Sequence, residues 1–423
     1  MKTPSAPLRS VLLVAYHFPP LAGSSGIQRT LRFVQQLPGL GWQPLVLSAD
    51  PRAYERTSDD LLAEVPPGTV VRRAFALDTA RQLSFRGRYV GALARPDRWM
   101  SWRFDAVRQG MALIRRHRPS AIWSTYPIAT AHLIGAALQR KSGLPWIADF
   151  RDPMAQEGYP ADPLTWQQYD RIERQAVTSA AASTFTTPGA ADEYRRRYPQ
   201  AAARIHVLEN GYDEASFASA DPQAVAAKGP LVPGALTLLH SGIIYPSERD
   251  PTQLMVALRR LHDAGTIQPG LLKLRFRAAV ADDLLHRLAA EHGVQAYVET
   301  QPAVPYRQAL EEMLRADALL VMQADNCNAQ IPAKVYEYIR ARRPTLGLAD
   351  PVGDTAGVLR QAGFTHLAAL ESAADIAATL ARFLDDLRAG RAPLADDGAV
   401  HRASRAARSE AFAQMLSAVT AGR

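Results

Sequence analysis

A single cysteine, Cys327, in 423 residues excludes a disulfide framework and any cysteine-based metal site built within one chain, and it fits a reducing compartment. Long apolar runs are also missing. No stretch approaches the about 18–20 consecutive apolar residues of a membrane-spanning helix. The run Val11-Leu12-Leu13-Val14-Ala15 is too short for the core of a secretory leader and has no small-residue cleavage site after it. The expectation is a cytoplasmic protein. No helix-turn-helix, zinc-finger or RNP signature is present to match its positive charge to a nucleic acid. Nor does spacing support a Ser-His-Asp set or a glycosidase-like pair of carboxylates. Short repeats and low-complexity tracts are absent too.

What is present is an ordinary globular composition, 47% hydrophobic and 21% charged, in a chain long enough for about two or three domains. The net charge of +8 is unevenly spread. Residues 1–204 carry 27 Lys+Arg against 16 Asp+Glu and the remainder 22 against 25, so the first half holds the whole excess. Within it, residues 72–118 have twelve arginines, three acids and the interleaved Phe85, Tyr89, Trp99, Met100, Trp102, Phe104 and Met111. Guanidinium groups among aromatic rings suit an anionic membrane surface, and the competing reading is a solvated helix face.

Strand-like apolar runs alternate with helix-length segments, the pattern of parallel α/β domains. The first half offers strands at 11–16, 44–49, 69–75, 121–126, 145–150, 183–188 and 205–210, with helices at 102–117, 129–141 and 164–181. The Ala-, Ser-, Pro- and Gly-rich stretch 213–235 breaks the alternation and marks a linker. Strands resume at 236–242, 273–280, 294–301, 318–323, 344–350 and 366–371, separated by helices at 251–264, 305–315 and 333–342. An amphipathic helix at 399–420 closes the chain. These elements make a domain over 1–212, a linker over 213–235, a second domain over 236–398 and a C-terminal helix over 399–423. In open parallel sheets ligands lie beyond the carboxyl ends of the strands, so two such sheets facing each other form one cleft.

Two segments then stand out. HFPPLAGSSGIQR, residues 17–29, follows the first strand and leads into a helix, so Gly23 and Gly26 permit close backbone approach and the helix start can meet an anion or hydroxyl. It is not the Gly-x-Gly-x-x-Gly of dinucleotide binders, and such a loop also serves simply to turn the chain. In IPAKVYEYIRARRPTL, residues 331–346, Pro332 suits a first helical turn, and Lys334, Glu337 and Tyr338 share one face while Val335 and Ile339 form the buried stripe. A cation and a carboxylate one turn apart can hold a diphosphate and its ribose hydroxyls, or form an ordinary surface pair.

With ADFRDP (148–153), ENGYD (209–213) and HSGIIYPSERDP (240–251), these segments in this order resemble the glycosyltransferase family 4 branch of the GT-B glycosyltransferases, from about residue 10 to residue 350. The resemblance implies two Rossmann-like domains facing a cleft, with the C-terminal helix crossing back to the N-terminal domain. It also implies a retaining, metal-independent hexosyltransferase. Its N-terminal domain takes a glycan or lipid-linked acceptor, its C-terminal domain a nucleotide-sugar donor, and the role is in cell-surface polysaccharide or glycolipid biosynthesis. No cofactor is implied, and the basic stretch 72–118 then places the protein on the inner face of the cytoplasmic membrane.

Mapped by position, Arg249 and Lys334 match basic positions near the donor phosphates, where Gly26 and Gly242 admit backbone N–H groups, and Glu337 matches a glutamate near the donor hydroxyls. Asp149, Asp152 and His132 are the catalytic candidates and Arg151 the acceptor contact. Arg151 and Asp152 are alternatively an ion pair capping the next segment, and His132 a helix residue with a core contact. His17 shapes its turn, and Arg195-Arg196-Arg197 forms a solvated helix end. One departure is plain: where the branch has a first acidic-motif glutamate, this chain has Ala329, with Asp325 nearby. That change leaves two rivals open, a nucleotide-sugar epimerase of the same fold and a non-catalytic sugar-nucleotide-binding or scaffold protein.

Overall fold

The computed structural model describes residues 9–24, 26–220, 225 and 227–421. The expected linker 213–235 includes residues 221–224 and 226, and the Gly/Ser loop includes Ser25, all outside the described residues. Contacts divide the chain into two compact units, Met1–Glu209 with Arg408–Arg423, and Asn210–Ala407.

The first unit is a seven-stranded parallel sheet of β1 (Arg9–Val14), β2 (Trp42–Ala49), β3 (Val70–Ala74), β4 (Ala121–Thr125), β5 (Trp146–Arg151), β6 (Ala182–Phe185) and β7 (Ile205–Val207), in the order β3-β2-β1-β4-β5-β6-β7. Its central strands are apolar on both faces; Val11 to Val14 and Ala121 to Thr125 are buried throughout. Helices on both sides of the sheet demand this. The order reverses between β1 and β4, so the loops leaving those two strands flank the switch point where ligands bind in such sheets. The Gly/Ser loop is one of them.

The second unit repeats the plan with β8 (Leu236–Ser241), β9 (Leu272–Arg277), β10 (Val298–Gln301), β11 (Ala318–Gln323), β12 (Thr345–Ala349) and β13 (Leu367–Ala368), ordered β10-β9-β8-β11-β12-β13. Here the reversal falls between β8 and β11, and the HSG segment leaves β8 beside it. Phe217 and Ala220, from the stretch read as a linker, pack in this unit with Tyr212, Leu239 and Tyr336.

The closing segment is two helices, Asp397–Arg402 and Arg405–Thr420, rather than the single one expected. The break has a backbone cause. The Tyr212 N–H donates to the Ala403 carbonyl and the Arg405 N–H to the Tyr212 carbonyl, so the Ala403 carbonyl and the Arg405 N–H are drawn out of helical bonding. Gly211 is required beside them, because a Cβ there would lie 2.8 Å from the Ala403 oxygen. Beyond Arg408 the last helix belongs to the first unit: Phe412, Ala413 and Leu416 join Phe33, Trp123 and Val11 in one core cluster.

The basic stretch 72–118 separates into two kinds of residue. Trp102 is fully buried, Trp99 and Met111 pack against the core, and the helix Trp102–His117 buries Ala106, Gly110 and Leu113. Leu83, Phe85, Tyr89, Val90 and Leu93 are exposed, Phe85 at 77% and Val90 at 64%. With Arg86 and Arg88, four of these line an open hollow of about 750 Å³. Of the three arginines expected to be solvated, Arg197 pairs instead with the buried Glu173, which also accepts from Tyr198 at 2.7 Å, and Arg195 donates to the Ile205 carbonyl.

Candidate functional site

In the second unit the loop after β8 and the start of the helix Lys334–Ala341 come together. His240, fully buried at the end of β8, lies 3.0 Å through Nδ1 from the Leu320 carbonyl, which can only accept. That fixes the tautomer, and the Nε2 lone pair accepts from Lys334 Nζ at 2.9 Å. Gly242, at φ +119°, admits this lysine: a Cβ there would stand 3.0 Å from Nζ. Lys334 is the first residue of its helix, at the positive end of the dipole, where a cation is disfavoured. Burial, with Arg249 beside it, pulls its pKa down to about 7, against a smaller opposing pull from Glu337. Burial first, then Lys334, pushes the His240 pKa well below its usual value, so the imidazole stays neutral.

Arg249 is nearly buried, its guanidinium 5.3 Å above the Tyr245 ring, and its Nε has no hydrogen-bond partner. One turn along the helix from Lys334, Glu337 accepts from the Tyr306 hydroxyl at 2.6 Å. Burial raises its pKa, while Tyr306, Arg405 and Lys334 draw it down. Tyr338, expected on the same face, is fully buried; its hydroxyl accepts the Ser241 N–H at 2.9 Å and ties the helix to β8. The site thus holds two cations, Lys334 and Arg249, with the Glu248 carboxylate 3.6 Å from Arg249 and Glu337 one turn from Lys334, while the Gly242 N–H is taken by the Arg277 carbonyl. The two cations are donors for a diphosphate. His240 and Tyr306 join this cluster through Lys334 and Glu337 and were not among the candidates from sequence. The HSG triplet was the available signal for the first; nothing local marked the second.

In the first unit the carboxyl end of β5 carries Asp149, Arg151 and Asp152. Asp149 is wholly buried and fully subscribed: Arg29 reaches its two oxygens at 2.8 and 2.9 Å, and Thr125 and Thr184 donate at 2.8 and 2.7 Å. Burial alone would raise its pKa, but Arg29 and the hydroxyls hold it below the usual carboxylate range. The expectation that Asp149 contacts substrate is corrected: every acceptor position is used by the protein, and the residue locks β5 to the Gly26–Gln36 helix. Arg29, present in the quoted IQR, was overlooked.

His132 has the core contacts of its alternative reading, while its Nε2 has no hydrogen-bond partner. It is buried inside the helix Ala129–Ser142, its Nδ1 2.8 Å from Ser124 Oγ and its ring 4.8 Å from that of Phe150. Burial lowers its pKa to about 4. Asp152, in contrast, is exposed; desolvation by the protein around it raises its pKa against the pull of Arg151, and the Thr186 hydroxyl donates to it at 3.4 Å. Gly26 has Arg151 and His17 directly over it. The Gly/Ser loop also walls a cavity of about 280 Å³ whose other side includes Tyr16, Trp99 and Arg98.

Ala329 is exposed in the loop after β11, and Asp325 lines a different hollow, of about 350 Å³, with Asp250 and Glu371.

Residues 25–211 match the family described as "Glycosyl transferase 4-like domain". No curated protein sequence matches the chain. Among solved structures, it resembles a glycosyltransferase from Rickettsia africae ESF-5 (10% identity, 98% of this chain and 100% of that one, TM-score 0.66). It also resembles HepE from Anabaena in complex with UDP and glucose (15% identity, 97% and 100%, TM-score 0.61). A third likeness is to an α,α-trehalose-phosphate synthase (UDP-forming) from Burkholderia vietnamiensis (12% identity, 98% and 100%, TM-score 0.62). The doubled parallel sheet and these likenesses agree on the fold: the chain has the GT-B fold, and residues 25–211 are similar to a glycosyl transferase 4-like domain.

Proposed function

We propose that this protein is a retaining glycosyltransferase that moves a hexose from a nucleoside-diphosphate donor, without a metal ion, to a glycan or lipid-linked acceptor in polysaccharide or glycolipid biosynthesis. The observation that carries the reading is the pair Lys334 and Arg249: a half-buried lysine at a helix start bonded only to the neutral His240, and a buried arginine in the loop after β8 whose Nε has no partner, with Glu337 one turn away. Cleaving the sugar–phosphate bond leaves charge on the diphosphate, and preorganised cations meet that charge without reorganisation. The Glu337 oxygen not bonded to Tyr306 can accept from a ribose or sugar hydroxyl. Asp152, the accessible carboxylate of its group, is the candidate for contact with the reacting sugar or acceptor. The cavity at the Gly/Ser loop, with its Tyr16 and Trp99 walls, is the candidate acceptor pocket.

A thermal-shift series with UDP, GDP, ADP and dTDP and their sugar conjugates, in magnesium and in chelator, tests the donor site. A rise in Tm of several degrees with one base, unchanged by chelation, is expected. No shift with any of them sinks the reading. A shift without turnover on any acceptor moves it to a sugar-nucleotide-binding protein.

The acceptor's membrane is met, in this proposal, by residues 83–93 rather than by the whole stretch 72–118. Exposed Leu83, Phe85, Tyr89, Val90 and Leu93 beside Arg86 and Arg88 match an anionic interface in both polarity and charge. Co-sedimentation with vesicles containing anionic lipid should retain the parent protein, and Phe85→Ser with Val90→Ser should reduce binding at least about tenfold. Equal retention of the double variant rejects this surface. Among the described residues no helix is long and apolar enough to cross a membrane.

A further inference from the structure

Glu337 ends in a flexible side chain, and one distant residue fixes it. The Tyr306 hydroxyl donates to its Oε1 at 2.6 Å, and among the described residues its Oε2 has no partner. A phenol donating to a carboxylate at this distance makes a charge-assisted bond, stronger than one between neutral groups. Tyr306 is 51% exposed, so its ring adds little to the core, and the bond to Glu337 is the contact that calls for an explanation.

The protein holds Tyr306 in place from both sides. It is the first residue of the helix Tyr306–Arg315, and Pro302 and Pro305 restrict the loop that leads into it. Arg277, buried at the end of β9, donates to the Pro302 carbonyl before the helix and, through Nε, to Glu312 within it at 2.7 Å. One buried guanidinium thus ties both flanks of Tyr306 to the sheet. Glu337 is anchored through its own helix, which Tyr338 fixes to β8. With both backbones set, the phenol removes the rotamer freedom left to the carboxylate, and Oε2 is presented as a preorganised acceptor. Residues three apart on a helix stand about 5–6 Å from each other, so Lys334 and Glu337 suit a phosphate and a ribose hydroxyl of one nucleotide.

We propose that Tyr306 is a positioning residue: by holding Glu337 Oε1 it aims Oε2 at a ribose hydroxyl of the donor, and the site thereby selects a ribonucleoside diphosphate over its deoxy forms. The inference rests on the donor reading of Lys334 and Arg249. A nucleotide without that hydroxyl leaves the aimed oxygen desolvated and unpaired, which is how a missing hydroxyl is penalised. A carboxylate free to turn would meet the same loss by relaxing towards water, so the selectivity depends on the tyrosine.

Titration calorimetry on the full chain decides it, with dTDP and with UDP, GDP and ADP, each of these three beside its 2′-deoxy and 3′-deoxy form. The variants are Tyr306→Phe, Glu337→Ala and the two together. The parent should bind one ribonucleotide about tenfold or more tightly than at least one of its deoxy forms. Tyr306→Phe should remove most of that preference, weakening the ribonucleotide and leaving the deoxy form as in the parent. The ratio of the two affinities is a readout that a merely structural tyrosine would not move. In the Glu337→Ala background, adding Tyr306→Phe should cost nothing further, because the phenol acts through the carboxylate. If the parent binds both forms alike or dTDP alone, if Tyr306→Phe keeps the preference, or if the double variant falls below Glu337→Ala by the full Tyr306→Phe loss, this proposal is wrong while the donor reading stands. If the parent binds no nucleoside diphosphate, the donor reading itself fails and takes this inference with it.

Discussion

Lys334→Met should lose nucleotide binding by about a hundredfold or more and, in the same protein without ligand, melt at a higher temperature than the parent near neutral pH. Both results follow from one placement. The lysine is half-buried at a helix N-terminus next to Arg249, with its pKa pulled down to about 7, so the folded state pays for a cation that the unfolded chain hydrates freely. The sign can be worked through. A lysine whose folded pKa lies below its unfolded value of about 10.4 binds fewer protons when folded between those two values. Its charged form therefore destabilises most below pH 7, and the penalty fades as pH rises towards 10. The stabilisation of Lys334→Met should follow the same course and be absent above about pH 10. In the complex the diphosphate supplies the missing negative charge and raises the lysine pKa. Nucleotide binding should then take up a proton and weaken as pH rises above 7. Calorimetry in buffers of different ionisation enthalpy measures the proton, and a pH series of melting curves measures the stability. A variant that binds nucleotide normally, or melts lower at pH 6–7, removes Lys334 from the donor site.

Asp149→Ala should destabilise the protein by about 3–5 kcal/mol, because it leaves Arg29 charged and nearly buried with its partner gone. Thr125 and Thr184 lose an acceptor as well. Since the folded Asp149 pKa is depressed, its contribution is present above about pH 4 and is lost as acid titrates the folded group. Removing both charges, in Arg29→Met with Asp149→Leu, should recover much of the loss, as buried pairs replaced by apolar groups commonly do. Denaturant unfolding of the three proteins checks the series. If Asp149→Ala keeps parental stability yet loses all turnover, the carboxylate is catalytic and its reading here as a structural lock is wrong.

Much of this was legible in the chain. The thirteen strands appear where apolar runs predicted them, β11 to the residue, because a strand buried on both faces has to be apolar throughout and is bounded by polar turns. The helices Trp102–His117 and Ala129–Ser142 were readable from their period. Gly242 directly follows β8, and Arg249, Lys334 and Glu337 lie in the connections that leave β8 and β11, the side of an α/β sheet where ligands bind, which is why the sequence offers them as donor candidates. The readings that needed correction share a cause, a partner far away in sequence. The Asp149 carboxylate looked available until Arg29, 120 residues earlier, took two of its acceptor positions. The bend at Ala403 depends on Tyr212, and the aromatic residues of 72–118 divide between core and surface according to strands that precede them. Tyr306 reaches Glu337 across 31 residues. Sequence by itself determined the alternation of strand and helix, the two-unit plan and the residue types available at each strand end, all of which depend on local periodicity and burial. Only the tertiary structure decided which of those side chains are spent on the protein and which remain underpaired, because hydrogen-bond saturation is a property of the packed neighbourhood, and packing joins residues that the chain keeps apart.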